Sequence, residues 1–353
     1  MASLDLSQDV VSLTHTLVDI ESVSGNERVI ADAVEHALRA LPHLYVERDG
    51  DTVMARTDLG RSERVVLAGH LDTVPLNANL PGRLDGDRLT GLGSCDMKGG
   101  CAVILRAAAE LAEPNRDVTF FLYECEEVEA ERNGLKRLSS TRPEWFAADF
   151  AVLMEPTSAA VEGGCQGTMR VDVVARGSRA HSARSWTGDN AIHKAADILQ
   201  RLRDFEPRQP DVDGLTYHEG LNAVFISGGV AGNVIPDEVR VSVNYRFAPD
   251  RDEEEALAFL REFFDGYELE VSDVAPAARP GLDRPVAAAF VEAIGSKPRP
   301  KLGWTDVARF TQLDVPAVNY GPGSPMMAHK QDEYVELAEL RECERRILSW
   351  LSD

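Results

Sequence analysis

Three short, mostly apolar runs, at residues 64–68, 118–123 and 150–154, each lead straight into titratable side chains. The first ends in Gly69-His70-Leu71-Asp72, the second in Glu124-Cys125-Glu126-Glu127, the third in Glu155-Pro156. Runs of this length predict buried strands. Residues 100–112, rich in Ala and Leu, predict a helix between the first two. Strands alternating with helices imply a layered α/β domain, and in such sheets ligands gather beyond the carboxyl ends of the strands. Carboxylates crowded at the edge of an apolar core repel one another, so one would ordinarily hold a proton. A cation among them reverses that logic.

The flanking segments complete an architecture. Val10, Leu13, Leu17 and Ile20, then Ile30, Val34, Leu38 and Leu41, recur at helical spacing. From residue 169 a second pattern begins: a strand at 170–175, then a helix with Ile192, Ala195, Leu199 and Leu202 at its apolar positions. A strand at 221–226 precedes a strictly alternating one, with Val239, Val241, Val243, Tyr245 and Phe247 on one face. A helix with Leu257, Leu260 and Phe264 and a strand at 269–271 follow. The order βαββαβ is a ferredoxin-like α+β unit with one exposed sheet face. With 353 residues, 44% of them hydrophobic, the chain can build two domains. The expected division is 1–168 with 276–353 as an α/β domain of helices around a mixed sheet, interrupted by an inserted unit at 169–275.

Composition narrows the function. A formal net charge of −22 argues against nucleic acid or an anionic membrane as partner. The five cysteines, 95, 101, 125, 165 and 343, contain no C-x-x-C, which fits neither a disulfide framework nor a thiolate zinc site. A reduced, cytoplasmic setting is the expectation, and no signal peptide or span of transmembrane length is visible.

Each candidate site residue also has a plain structural reading. His70 and Asp72, two apart on an extended chain, face the same way, so the carboxylate could orient a metal-binding imidazole or simply satisfy a core histidine. Asp96, in Gly91-Leu-Gly-Ser-Cys-Asp96-Met-Lys-Gly-Gly100, could bind a metal or cap the helix that follows. Glu126, Glu127 and Glu155 could be a solvated acidic edge, and His329 a loop histidine. Together, two histidines and several carboxylates form a nitrogen and oxygen set suited to zinc, with cobalt or manganese as substitutes. More carboxylates are present than one tetrahedral ion needs, which favours a bridged pair.

The ordered set GHLDTVP, GSCDMKGG, ECEEVEA, MEPT and MAHKQDE resembles the M20 family of dinuclear zinc amidohydrolases and peptidases across essentially the whole chain. The resemblance implies two Zn²⁺ bridged by Asp96, one completed by His70 and Glu155 and the other by Glu127 and His329. It makes Glu126 the general base that activates a water held by the zinc pair, and Asp72 the carboxylate behind His70. It also implies a cis peptide between Asp96 and Met97. His181, in Arg179-Ala-His-Ser-Ala-Arg184, becomes an oxyanion donor reaching the partner subunit's site, and the inserted unit a dimerisation and lid domain of a homodimer.

The metal motifs do not separate the family's substrates. Arg184, Asn233, Arg246 and Arg309 are the candidates for binding one, and against so negative a background they would suit a small molecule with several carboxylates; the resemblance implies that this is an N-acyl diamino acid. The stretches GGCQGTMRV, RAHSARSW, GLNAVFISGGVAGNVIPD and GWTDVARF resemble the actinobacterial type of desuccinylase, which hydrolyses N-succinyl-L,L-diaminopimelate to succinate and L,L-diaminopimelate in lysine and diaminopimelate biosynthesis. Proteobacterial desuccinylases carry an arginine where this chain reads Gly164-Cys-Gln-Gly-Thr168, so substrate carboxylates would be met by other residues here. Acetylornithine deacetylase, or another amidohydrolase or carboxypeptidase of the family, is the alternative. A non-catalytic binding protein has no need of the full ligand set with Glu126 and His181.

Overall fold

The computed structural model describes residues 3–352. The chain forms two compact units. The first takes in the chain up to Gly163, Pro280–Arg299 and the chain from Asp306 onward; the second comprises Gly164–Arg279 with Pro300–Thr305.

In the first unit a mixed sheet runs in space Tyr45–Asp49, Thr52–Arg56, Asp117–Tyr123, Arg64–His70, Phe150–Leu153, Ala317–Asn319, and short strands finish that edge. Arg64–His70 is parallel to both neighbours, and Ala317–Asn319 is parallel to Phe150–Leu153. Both sheet faces are covered, which is why these strands read as continuous apolar runs rather than alternations. Val118, Phe120 and Leu122 join the core shared with helices Val10–Val18, Arg28–Arg39, Lys98–Glu110 and Leu337–Ser352. Phe121, on the opposite face, meets Phe146 at 4.9 Å between ring centroids and Phe310 at 6.4 Å.

Parallel register puts His70 level with Tyr123, and Ala68 level with Leu153, so the polar residues beyond these strands emerge at one edge. Gly99 and Gly100, in the first turn of the helix Lys98–Glu110, let that turn approach this edge. A Cβ on Gly100 would lie 2.1 Å from the Met154 carbonyl oxygen.

At the other end of the same strand, Asp117 ties down the turn at 57–61. One of its oxygens accepts from Thr57 Oγ1 and Leu59 N, both 2.8 Å, and the other from Arg61 N at 2.9 Å. Burial pushes this carboxyl up, but these donors and nearby Arg64 outweigh it and hold its pKa below the ordinary value. Asp117→Asn should therefore cost about 1–3 kcal/mol at neutral pH, because an amide NH₂ faces backbone donors. A folded pKa below the unfolded one means that the unfolded state binds more protons in that window. The wild-type advantage should be full above about pH 4 and shrink as pH falls through the folded value. Thermal midpoints of the two proteins at pH 7 and pH 3 test this.

The second unit has the order βαββαβ: Gly167–Arg176, helix Ala191–Arg203, Gly220–Gly228, Glu238–Phe247, helix Glu253–Phe263, Glu268–Ala275. Its antiparallel sheet places Gly220–Gly228 at one edge and Glu268–Ala275 at the other. Val239, Val241, Val243, Tyr245 and Phe247 are all buried, as their alternation predicts. The first helix departs from expectation. Ala191, Ala195 and Ile198 face the core, whereas Ile192 and Leu199 are exposed. Small alanines let the helix sit close to the sheet, so its larger apolar residues turn outward beside the strand Gly220–Gly228.

Candidate metal centre

The site is assembled at the carboxyl edge of the first unit's parallel strands. His70, the last residue of its strand, is buried; its Nδ1 lies 3.0 Å from the Asp72 carbonyl and 3.5 Å from the Asp72 carboxylate. The opposite ring nitrogen, Nε2, lies 3.1 Å from Asp96 Oδ1. The other Asp96 oxygen is 3.6 Å from His329 Nε2, and His329 Nε2 is 3.0 Å from Glu127. Asp96 therefore spans the two histidines. It does not cap the following helix, whose N-cap is Met97 with no side-chain bond, and the Asp96–Met97 peptide is cis.

Donor atoms of His70, Asp96 and Glu127 lie within 4.8 Å of one another, and His329 joins them through Glu127 and Asp96. Glu155, buried just past Phe150–Leu153, contributes negative charge to the same space, since it raises the pKa of Glu126. Asp72 holds the turn that carries both glutamates: its two oxygens accept from Glu126 N at 3.0 Å and Glu127 N at 3.1 Å, and it accepts from Ser24 Oγ at 2.7 Å.

The electrostatics fit a cation. Burial foremost, then Glu155, Asp306 and Glu127, push Glu126 well above the usual carboxylate range, with His70 opposing. Burial and Asp96 likewise raise Glu127 against the two histidines. Burial disfavours charge on His70, yet Asp72 and Asp96 outweigh it and hold that ring well above its ordinary pKa. Glu127 is the main cause that pushes His329 up to about 9. The space draws in positive charge from whatever source can supply it, and its imidazole and carboxylate donors are those of a zinc-type site. The residues present fit the metal that the family resemblance implies.

Arg309 is buried in the first unit, its Nε donating to Asp306, which also accepts from Asn133 Nδ2 at 2.8 Å. His181, Arg184 and Asn233 belong to the second unit and come together there: Ser182 N donates to the Asn233 carbonyl at 2.9 Å, and Arg184 N to that of His181 at 2.8 Å. His181 is exposed, and its Nδ1 accepts from Ala183 N at 3.0 Å, which places the ring proton on Nε2. Arg246 is partly buried on the polar face of Glu238–Phe247.

Two carboxylates of this region escaped the sequence reading. Glu27 is buried and accepts from Gly25 N at 2.9 Å and Cys125 N at 3.1 Å, steadying a residue with φ of 57° immediately before Glu126. Glu333 accepts from Gly93 N, Cys95 N and Asp96 N at 2.9–3.1 Å. Burial, its largest influence, pushes it up to about 7 against these three donors. The only sequence signal for Glu333 was its place at the end of MAHKQDE.

This fold and edge define a class: the chain belongs to Peptidase family M20/M25/M40, whose model matches residues 66–353. Among particular relatives, it is 46% identical over 361 residues to succinyl-diaminopimelate desuccinylase of Corynebacterium glutamicum, covering 99% of this chain and 98% of that one. A Mycobacterium tuberculosis protein provisionally named succinyl-diaminopimelate desuccinylase DapE is 53% identical over 340 residues, 96% of each chain. Among solved structures, a Staphylococcus aureus tripeptidase shares the fold with a TM-score of 0.80 at 20% identity, covering 99% of this chain and 98% of that one. A Sulfolobus solfataricus M20 family metallo-carboxypeptidase does so with 0.77 at 15%, covering 98% of each.

Among the described residues no helix is long and apolar enough to cross a membrane, and all five cysteines are buried.

Proposed function

We propose that this chain is a desuccinylase that hydrolyses N-succinyl-L,L-diaminopimelate to succinate and L,L-diaminopimelate. The observation that carries the chemistry is the Asp96 carboxylate spanning His70 and His329, with a half-buried Glu126 under the charges of His70, Glu155 and Glu127. Near full-length identity to the desuccinylase relatives supports the choice of substrate. Asp96 with His70 and Glu155, and Asp96 with Glu127 and His329, would hold a zinc pair. When bound, zinc supplies Lewis-acid charge that polarises the scissile carbonyl and eases loss of a proton from water.

The protein's own groups do the rest. Glu126, kept proton-seeking by its buried and acidic surroundings, takes a proton from the attacking water and returns it to the leaving amine nitrogen. Asp72 fixes Glu126 and Glu127 through their backbone N–H groups, so the proton carrier and a metal ligand keep their spacing. Arg184, Asn233 and Arg246 are assigned to substrate carboxylates. Arg309, whose Nε donates to Asp306, one of the charges acting on Glu126, is assigned to them as well.

The protein acts as a homodimer in which His181 of the partner subunit donates its Nε2–H to the developing oxyanion. What supports this is the unpaired edge strand Gly220–Gly228, where Val224, Phe225 and Ile226 are exposed, Phe225 to 65%, beside outward-facing Ile192 and Leu199. A long apolar edge strand left in water invites pairing. Light scattering should return twice the chain mass; a monomer at micromolar concentration would refute the dimer.

Initial rates of zinc-loaded protein with N-succinyl-L,L-diaminopimelate and N-acetyl-L-ornithine test the substrate. The succinyl compound should be turned over with the higher kcat/KM. Preference for the acetyl compound would overturn the substrate and leave the proton chemistry standing.

A further inference from the structure

We propose that Glu333 is a positioning residue that sets the spacing between Asp96 and His329; the assignment rests on the metal reading of that pair. Glu333 lies four residues after His329 and is 1% exposed. Its chain segment is stitched to the Asp96 loop in three successive steps. Tyr334–Glu336 pairs with Arg88–Thr90 as antiparallel strands, Tyr334 opposite Thr90. The next bond runs from Gly91 N to the Glu333 carbonyl at 3.0 Å. There the backbone ladder ends and the side chain takes over: Oε2 accepts from Gly93 N at 3.1 Å, and Oε1 from Cys95 N at 2.9 Å and Asp96 N at 3.0 Å. One buried carboxylate thus carries the tether from the strand pair to the backbone of Asp96, while its own segment carries His329.

The chemistry requires a carboxylate. All three partners are backbone N–H donors, so both oxygens must accept, and carboxylate is the side chain with two acceptor oxygens and no obligatory donor. In Glu333→Gln one oxygen becomes an NH₂ that faces a backbone N–H. The loop must then move, and Asp96 moves with it relative to His329. Groups that orient metal ligands in this way typically contribute 10–100-fold in affinity.

The test is zinc alone, titrated into chelator-stripped full-length wild type, Glu333→Gln, Glu333→Asp and Asp117→Asn, read by competition with a chromophoric chelator. Asp117 is an equally multidentate buried carboxylate at the opposite end of a neighbouring strand, so it reports what lost stability alone does. Glu333→Gln should bind its more weakly held zinc about 10–100-fold less tightly and lose kcat at little-changed KM, while Asp117→Asn keeps wild-type zinc affinity despite a lower thermal midpoint. Glu333→Asp, one methylene short of the three donors, should show the same loss and serves if the amide variant does not fold. Wild-type zinc affinity in either Glu333 variant overturns the assignment alone. Wild-type protein that binds no zinc overturns the metal reading and this assignment with it.

Discussion

Glu126→Gln should lose kcat by about 10²–10⁴ with KM little changed, the range a positioned proton-transfer group supplies. The amide keeps the shape of the side chain and the backbone bonds to Asp72, so ligand geometry is preserved. The sharper expectation concerns stability. Burial and the charges of Glu155, Asp306 and Glu127 all disfavour an ionised Glu126, with His70 alone among its principal influences opposing them. A neutral isostere removes that repulsion. The metal-free variant should therefore melt at or above the wild-type temperature at neutral pH while being nearly inactive. Groups kept for catalysis commonly cost stability in this way. Rates measured with saturating zinc, together with scanning calorimetry of the stripped proteins, check both parts. An active variant would remove Glu126 from the chemistry. An inactive variant that also melts markedly lower would make it a structural residue instead.

Why so much of this site was legible follows from where its residues sit. His70, Glu126, Glu127 and Glu155 come directly after strands, and strands buried on both faces announce themselves as apolar runs. Parallel pairing then brings their ends together without any further information. For Asp96 the residues alone leave metal ligand and helix cap both open, and only the resemblance of GSCDMKGG favours the ligand; Gly100 permits the close approach to Met154 that seats the loop.

What the sequence hid was set by contacts distant in the chain. Glu333 stands in a polar stretch, Lys330-Gln-Asp-Glu333, where an acidic residue ordinarily faces water. Its burial is imposed by a loop some 240 positions earlier. Nor does the sequence show that Arg309 is buried with its Nε donating to Asp306, three residues before it at the N-cap of a short helix. The helix Ala191–Arg203 departs from its periodicity for a related reason. Periodicity locates an apolar stripe but does not say whether the core or another surface covers it, and here alanines take the core side.

Removal of metal should have the other large effect: stripped protein should lose activity to background and melt well below the zinc-loaded form. Binding confined to the folded state stabilises by RT ln(1 + [L]/Kd), about 4 kcal/mol at a thousandfold excess over Kd. At roughly 2–4 °C per kcal/mol for a unit of this size, the midpoint should fall by about 8–16 °C. The direction follows from the site itself, where Asp72, Asp96, Glu126, Glu127 and Glu155 share a buried edge with two imidazoles. Without a dication, burial and the neighbouring charges hold Glu126 and Glu127 above the usual carboxylate range, so ionising them carries a cost. Asp96→Asn sharpens the test, because only a carboxylate offers an anionic oxygen to His70 on one side and to His329 on the other. The variant should melt near the stripped wild type whether or not zinc is added, and regain little activity at high zinc. A midpoint that still rises with zinc as in wild type would mean that Asp96 does not bridge, and would leave at most one ion held by the remaining donors.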